Sequence, residues 1–468
     1  MKIAACTMCK NEEHNVKKWL ERTKDFDYRV VVDTGSTDKT VKLFSNSDVI
    51  FDIHGFNPFK FDEVRNYVAT KIPKDADWVF WPDMDEEYIP GWREQFEKTI
   101  LDNPNATRIL HKSIHFRNRI KEGGGESGTA IDSKIHKHKY YKWIKPIHEH
   151  LSYIKNDNEI IVSNENIIRK HYHYDRKEVD QLCYEIVKLA VKENPNDEWN
   201  MWFALKDAYE RQIIEDILEY GNRYIKLTKS KTDFRSLAFT YIGLALQRKK
   251  QIVDDEVISF FLKANLEDHS NTQAKWLYIN SIKQADNKVK LNLGCGNNKV
   301  KDFVNVDKYD IFGSDIVHDL EVFPWPFKDN SVDYIMIHHV LEHLGQTTQQ
   351  FLNILAELYR ISKPNAVIDI VVPHPYHHTF IGDPTHVRAI TPEQFSLFDK
   401  DTYAKNSLRE STGLQFKVLD LMYNPDYAYQ VKLDAGEITY EEVLKIGKYQ
   451  LNVFDIIKIM IKVIKDEA

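Results

Sequence analysis

The apolar pattern of this chain changes period twice, and that change limits the fold more than any single motif does. From Lys2 to about Tyr174, short apolar runs alternate with polar turns. Ile3–Cys6, Arg29–Val32, Val49–Phe51 and Trp78–Trp81 have strand character, while Asn15–Lys24, Lys39–Phe44 and Phe61–Ile72 have helical spacing. Such alternation predicts a mostly parallel sheet with its chemistry at the carboxyl edge. From about Asp175 to Ala285 the strand signals vanish, and successive segments between Val179 and Lys283 carry helical apolar spacing. Tyr184, Leu189, Trp202, Ala204, Leu205, Ala208 and Tyr209 alternate large and small, which lets helix pairs nest. Strand signals return at Val289–Leu293 and continue through Val304–Val306, Tyr334–Ile337 and Val367–Val372, around a helix at Thr347–Leu358. The expectation is an α/β multidomain protein divided as 1–174, 175–287, 288–425 and 426–468.

Composition narrows the class. At 468 residues the chain exceeds one ordinary core, and 42% hydrophobic with 29% charged residues excludes wholesale disorder. Lys plus Arg at 64 against Asp plus Glu at 71 leaves a net charge of −7, so no nucleic-acid partner is expected. A mean hydropathy of −0.50 and the lack of an apolar run of about 18 residues exclude a membrane-spanning helix. The opening Met1–Cys6 lacks a signal-peptide pattern, and four cysteines are too few for a disulfide framework, so a cytoplasmic location is expected. Cys6 and Cys9 have zinc-knuckle spacing, but no second Cys/His pair accompanies them, and they read as buried strand residues. At the other end, Asn452–Lys465 places Phe454, Ile457, Met460, Ile461 and Ile464 on one helical face and Lys458, Lys462 and Lys465 on another. That predicts an amphipathic C-terminal helix for docking on a domain or a second copy, or for peripheral contact with an anionic membrane surface.

Asp83-Met84-Asp85 closes the strand Trp78–Trp81, and paired carboxylates there suit a divalent cation that neutralises a diphosphate. Thr7–Glu13, Val30–Thr40, Phe61–Asn66, Trp78–Glu86 and Ile147–His150 occur in the order of a family 2 glycosyltransferase of the GT-A fold, which the first ~175 residues resemble. The resemblance implies binding of a nucleotide-diphosphate sugar, UDP-linked in the first expectation, with Mn2+ or Mg2+. Asp33 would accept from the base, while Thr7, Asn11 and Glu12 border base and ribose. Arg65 would meet phosphate oxygens. Asp85 would bind the metal directly, Asp83 would serve ribose or metal through water, and His148 would complete the shell. Inversion at the anomeric carbon needs a base, for which Glu149 and Glu86 are candidates and Asp132 a third. Ser36-Thr37-Asp38 reads as a helix cap, and Lys121–Gly128 as a mobile loop that closes over substrate.

Leu291-Asn292-Leu293-Gly294-Cys295-Gly296 puts two glycines in the turn after a strand, where backbone can approach a ligand closely. Asp307 ends the next strand with an acid suited to a ribose diol. Asp319-Leu320, the Leu341-Glu342-His343 corner and Leu358–Ala366 follow, although Asn365 and Ala366 replace the usual glycines. Residues 288–425 resemble class I S-adenosylmethionine-dependent methyltransferases, with a Rossmann-like fold. The resemblance implies S-adenosylmethionine held by Gly294, Cys295, Gly296, Asp307, Asp319, Leu320 and His338. A nicotinamide domain would want glycine where Lys299 stands. Asp383–Arg388 resembles a segment of methyltransferases associated with surface polysaccharides. His386 is the candidate general base on a sugar hydroxyl, in competition with His374, His377 and His378. Together with His338, His339 and His343 these side chains could instead bind a metal or simply line a polar cleft. The helical middle resembles tetratricopeptide repeats.

The combined expectation is a bifunctional enzyme that adds a sugar to a glycan, lipid-linked or protein acceptor and O-methylates a sugar hydroxyl. The alternative is a scaffold or protein-modifying enzyme in which only one catalytic-looking domain is active.

Overall fold

The computed structural model describes residues 1–116, 126–172, 177–268, 270–403 and 405–465. The chain forms two compact units, Met1–Leu227 and Thr228–Ala468. The expected domain boundary at 174/175 and residues 121–125 of the expected closing loop lie outside the described residues, while 126–128 begin a strand.

Unit 1 opens with β1 (Ile3–Cys9), α1 (Val16–Arg22), β2 (Tyr28–Asp33), α2 (Thr40–Ser45), β3 (Ile50–Ile53), α3 (Phe61–Thr70) and β4 (Trp78–Phe80). β5 (Glu86–Tyr88), α4 (Trp92–Asp102), β6 (Arg108–Phe116), β7 (Glu126–Lys137), β8 (Tyr141–Ile144), β9 (His150–Tyr153) and β10 (Ile161–Tyr172) follow. Eight strands order as β3-β2-β1-β4-β7-β6-β10-β5. β1 runs parallel to both β2 and β4, and β7 runs antiparallel to β4 and β6. Along β1, Ile3 and Ala5 enter one apolar layer with Trp19 and Phe80, while Ala4 and Cys6 enter another with Val30 and Trp81. Burial on both faces explains the unbroken apolar run of this central parallel strand. The helices α5 (Lys177–Glu193), α6 (Glu198–Glu210) and α7 (Ile214–Leu227) complete the unit. Lys60 pairs with Glu193 at 2.9 Å and Lys145 pairs with Asp197, tying them to the sheet domain.

Unit 2 begins with α8 (Asp233–Lys250), α9 (Asp255–Glu267) and α10 (Thr272–Gln284), then β11 (Lys290–Leu293), β12 (Val304–Asp307), β13 (Ile316–Val317) and β14 (Val332–His338). Next come α11 (Thr348–Ile361), β15 (Ser362–Pro373), α12 (His378–Ile381), α13 (Pro392–Ser396), α14 (Ser407–Thr412) and β16 (Phe416–Pro425). It ends with α15 (Tyr427–Asp434), α16 (Tyr440–Gly447) and β17 (Phe454–Val463). The strand order β13-β12-β11-β14-β15-β17-β16 is a doubly wound sheet in which the last strand inserts antiparallel between its two predecessors.

Two expectations are corrected here. The helices between 175 and 287 do not form one separate repeat domain. α5–α7 belong to unit 1, and the apolar faces of α9 and α10 (Phe261, Tyr278, Ile282) are spent on Tyr334, Met336 and Val367 of the unit 2 sheet. The C-terminal segment is not an amphipathic helix either. Ile457, Ile459, Ile461 and Val463 alternate into the unit 2 core, so the operative period is two, not 3.6. Lys462 is buried, and burial pushes its ammonium down to about 8, while Lys465 donates to the Ser362 carbonyl at 2.6 Å. The basic surface proposed for membrane contact is therefore absent from this segment. Among the described residues, no helix is long and apolar enough to cross a membrane.

Ile459 is fully buried, so Ile459→Ala should cost about 2–5 kcal/mol in the unfolding transition of unit 2. Chemical denaturation followed by circular dichroism measures this. A loss under about 0.5 kcal/mol, as for an exposed position, would contradict the strand.

Candidate functional site

In unit 1 the carboxyl ends of β1 and β4 border a cleft of about 860 Å3, lined by Asn11, Glu12, Arg65, Asp83 and Asp85. Phe56, Phe59 and Phe61 supply its apolar side. Asn11 adopts φ 57, and its side-chain oxygen accepts from the Thr37 N–H at 2.7 Å, which ties the β1 loop to the β2 loop. Asp38 accepts from the N–H groups of Thr40 and Glu13, tying the β1 loop to the start of α2, although the N-cap itself is Lys39, without a side-chain cap.

After β4 the chain turns tightly. The Glu86 N–H donates to the Asp83 carbonyl at 3.0 Å, and the Asp83 N–H donates to Glu86 Oε2 at 2.9 Å. Lys134 reaches Asp83 Oδ2 at 2.6 Å and Glu86 Oε1 at 3.3 Å, and Arg65 reaches Asp83 Oδ1 at 3.3 Å. Burial pushes the Asp83 carboxyl up, but Lys134 and Arg65 outweigh it and hold the group far below the usual carboxylate range. Arg169 pairs with Glu86 at 2.7 Å and also with Asp132.

Several expected site residues take other roles. Glu86 has no exposed surface and is bound by Arg169 and Lys134, so it braces the turn. Asp33 is equally buried. Its Oδ1 accepts from the N–H groups of Gly35 and Ser36, and its Oδ2 from the Ser36 hydroxyl, so the β2 turn consumes it. Thr7 is buried within β1, with its hydroxyl donating to the Met8 carbonyl. His148 is not brought to the carboxylates. Its ring stacks on Phe203 of α6 at 3.7 Å, and it lines a separate cleft with Glu149, Asp207 and Arg211. Burial there pushes its imidazole down to about 4. Glu149 accepts from Arg65 Nε at 2.6 Å.

The histidine that does reach the aspartates is His171. β10 pairs antiparallel with β5 in a register that sets His171 opposite Glu86, and His171 Nε2 lies 3.6 Å from Asp85 Oδ1. Two donors at that spacing approach the roughly 3 Å between neighbouring ligands on an octahedral ion with bonds of about 2.1 Å. Asp85 and His171 could therefore hold a divalent cation between them. Asp83, already neutralised by two side chains, fits only the role through water.

In unit 2, Gly294 and Gly296 adopt φ +68 and +46. A Cβ at Gly294 would lie 2.3 Å from Val340 Cγ2, so position 294 is closed to a side chain, whereas one at Gly296 would meet nothing within 4 Å. Asp307 clasps the loop, accepting from the Gly296 N–H at 2.9 Å through Oδ2 and from the Tyr309 N–H at 3.0 Å through Oδ1. Cys295 is buried, and burial pushes its thiol up, which leaves the backbone as its contribution. Asp319 accepts from the Glu321 N–H at 2.9 Å, and Leu320 is buried with its carbonyl accepting from the Trp325 indole. His338 ends β14 with Nε2 3.2 Å from Asp369 Oδ1.

The histidines of this unit disperse. His377 bonds Thr379 and sits 3.2 Å from Asp426, while His374 accepts from the Tyr376 N–H. The His377 and His378 rings lie 4.2 Å apart and those of His343 and His386 4.7 Å apart, and among the described residues the latter pair gathers with Glu342 in a group that could hold a metal ion.

Residues 301–370 match a family described as a methyltransferase domain. No curated protein is significantly similar to the chain in sequence. Among solved structures, an SAM-dependent methyltransferase from Archaeoglobus fulgidus is 19% identical with a TM-score of 0.28, covering 43% of this chain and 99% of its own. A putative S-adenosylmethionine-dependent methyltransferase from Listeria monocytogenes is 12% identical with a TM-score of 0.26, covering 41% and 98%. S. aureus TarS 1–349, solved in complex with UDP-GlcNAc, is 14% identical with a TM-score of 0.29, covering 60% and 89%.

The charge cluster around Arg169 makes a pH prediction. Burial pushes the Asp132 carboxyl up, but Arg169 and Lys134 bring it down from 3.8 to about 2. A depressed carboxyl contributes stability that is whole above its unfolded value and is lost as pH falls from about 4 through about 2. Arg169→Met should weaken that acid limb and cost about 3–5 kcal/mol at neutral pH, because Asp132 loses its guanidinium and buried Glu86 keeps only Lys134 as a charged partner at 3.3 Å. An unchanged acid limb, followed by tryptophan fluorescence, would contradict the pairing.

Proposed function

We propose that the chain is a bifunctional glycan-modifying enzyme. Unit 1 transfers a sugar from a nucleotide-diphosphate sugar, UDP-linked in the first instance, with Mn2+ or Mg2+. Unit 2 methylates a sugar hydroxyl with S-adenosylmethionine.

The observation that carries the second activity is the glycine turn clasped by Asp307, in which nothing stands within 4 Å of where a Cβ on Gly296 would lie, next to a segment that matches a methyltransferase domain. The turn admits the donor's polar end against bare backbone, and Asp307 keeps lone pairs for a ribose diol. His338, at the end of the neighbouring strand, faces the donor's reacting end in this reading. The first activity is supported by the gathering of Asn11, Glu12, Arg65 and Asp85 in one cleft. Asn11 and Glu12 would border the nucleoside, and Arg65 would meet phosphate oxygens. A bound cation would supply charge for the leaving diphosphate. Asp85 and His171 would hold that cation. Glu149, held by Arg65 and free of Arg169 and Lys134, is the carboxylate assigned to deprotonate the acceptor.

Asp85→Asn and His171→Ala should each lower nucleotide release from a panel of UDP-sugars at least tenfold, with S-adenosylmethionine binding intact. Gly294→Ala should do the reverse. It should abolish the thermal shift given by S-adenosylmethionine, worth roughly 2.7 kcal/mol at 100 times the dissociation constant, and leave nucleotide release unchanged. If neither donor raises the melting temperature of the parent chain, the proposal fails.

A further inference from the structure

Glu342 lies in the short turn Leu341–His343 that follows β14, and it is a buried carboxylate without hydrogen-bond donors. It is 1% exposed, and neither side-chain oxygen has a hydrogen-bond partner among the described residues. His339 Nδ1 stands 3.6 Å from its Oε1. A buried, unsatisfied carboxylate costs several kcal/mol unless something positive meets it. The groups that converge with it are His343 and His386, and one ligand atom from each of the three lies within 4.8 Å of the others.

The hydrogen bonds on the two imidazoles settle which nitrogen each presents. His386 Nδ1 lies 2.9 Å from the Phe380 carbonyl, which can only accept, so Nδ1 carries the proton. His343 Nδ1 faces the Thr385 carbonyl at 3.3 Å and the Thr385 hydroxyl at 2.9 Å, and that hydroxyl donates to Asp383 at 2.6 Å. Both rings therefore keep an Nε2 lone pair, with the opposite nitrogen anchored as in histidine–metal sites. His386 Nε2 is 3.7 Å from Asp383 Oδ2, beyond a hydrogen bond. The two sides are stapled together. The N–H groups of Val387 and Arg388 donate to the Glu342 carbonyl at 2.8 and 3.2 Å, and the Arg388 guanidinium donates to the Gly345 carbonyl at 2.9 Å.

We propose that unit 2 binds a divalent transition-metal ion through Glu342, His343 and His386. Two imidazoles and a carboxylate suit Zn2+ or Co2+ over Mg2+. Tetrahedral donors with bonds of about 2.1 Å lie roughly 3.4 Å apart, so the half-exposed His343 ring closes the remaining gap by rotation. Three protein ligands leave one position open. Val340, which packs against Gly294, is two residues from Glu342 along the chain. The ion's role, resting on the methyltransferase reading, is to polarise the acceptor hydroxyl in the open position. The hydroxyl proton passes to solvent water, the oxygen forms the new bond to the methyl carbon, and the C–S electron pair returns to sulfur as a thioether. His386 is then a ligand, not the free base expected from sequence.

The test is calorimetric titration of the chelator-treated full chain with Zn2+, Co2+ and Mg2+, in an Asp85→Asn background that disables the carboxylate of unit 1. One equivalent of Zn2+ and of Co2+ should bind, with Co2+ developing the visible absorption of a low-coordinate site. Mg2+ should not compete. His386→Ala and the conservative His343→Gln should each weaken Zn2+ at least 100-fold while the S-adenosylmethionine thermal shift persists. Absence of binding, or affinity unchanged in a folded His343→Gln chain, overturns the metal site. Metal binding without any S-adenosylmethionine response upholds the metal site and overturns the methyltransferase reading.

Discussion

A parallel sheet opens a crevice where its strand order reverses, because the carboxyl ends of the two strands at the reversal are left uncovered. Both units are built around that constraint. In unit 1, β1 lies between β2 and β4, and in unit 2, β11 lies between β12 and β14. The residues after β1 and β4 line the cleft of unit 1, and in unit 2 the glycine turn after β11 meets Val340, just beyond β14. In each unit the next strand over ends in an aspartate, Asp33 or Asp307, that accepts backbone N–H groups and shapes a loop. Buried acceptors of this kind stiffen a turn before they meet any ligand.

What the sequence makes legible is local. The strand–turn–helix runs, the glycine turn and the aspartates after β4 are each written within a dozen residues, and they fall where periodicity and turn chemistry put them. The failures involve distance along the chain. Glu86 reads as a free carboxylate beside the aspartates, but Arg169, 83 residues later, pairs with it in the fold. His148 sits in an inviting His-Glu-His run, yet the register of β10 against β5 delivers His171 instead. Nothing within either segment encodes that register.

The C-terminal segment fails for a different reason. Phe454, Ile457, Met460, Ile461 and Ile464 satisfy a helical stripe, and Ile457, Ile459, Ile461 and Val463 satisfy strand alternation in the same stretch. When both periods fit, β-branched content and the availability of a vacant sheet position decide. Three isoleucines and a valine on one face, with β15 and β16 waiting on either side, decide for the strand. Similarly, the helical middle is periodic enough to suggest a repeat array, but α9 and α10 are amphipathic because a sheet needs covering.

In the function proposed, one chain carries two separate donor sites. Equilibrium titration of the full chain with a UDP-sugar and Mn2+, repeated in saturating S-adenosylmethionine, tests it most directly. One equivalent of each donor should bind to the same chain at the same time. Mutual displacement of the two donors, or binding of only one of them, would contradict it.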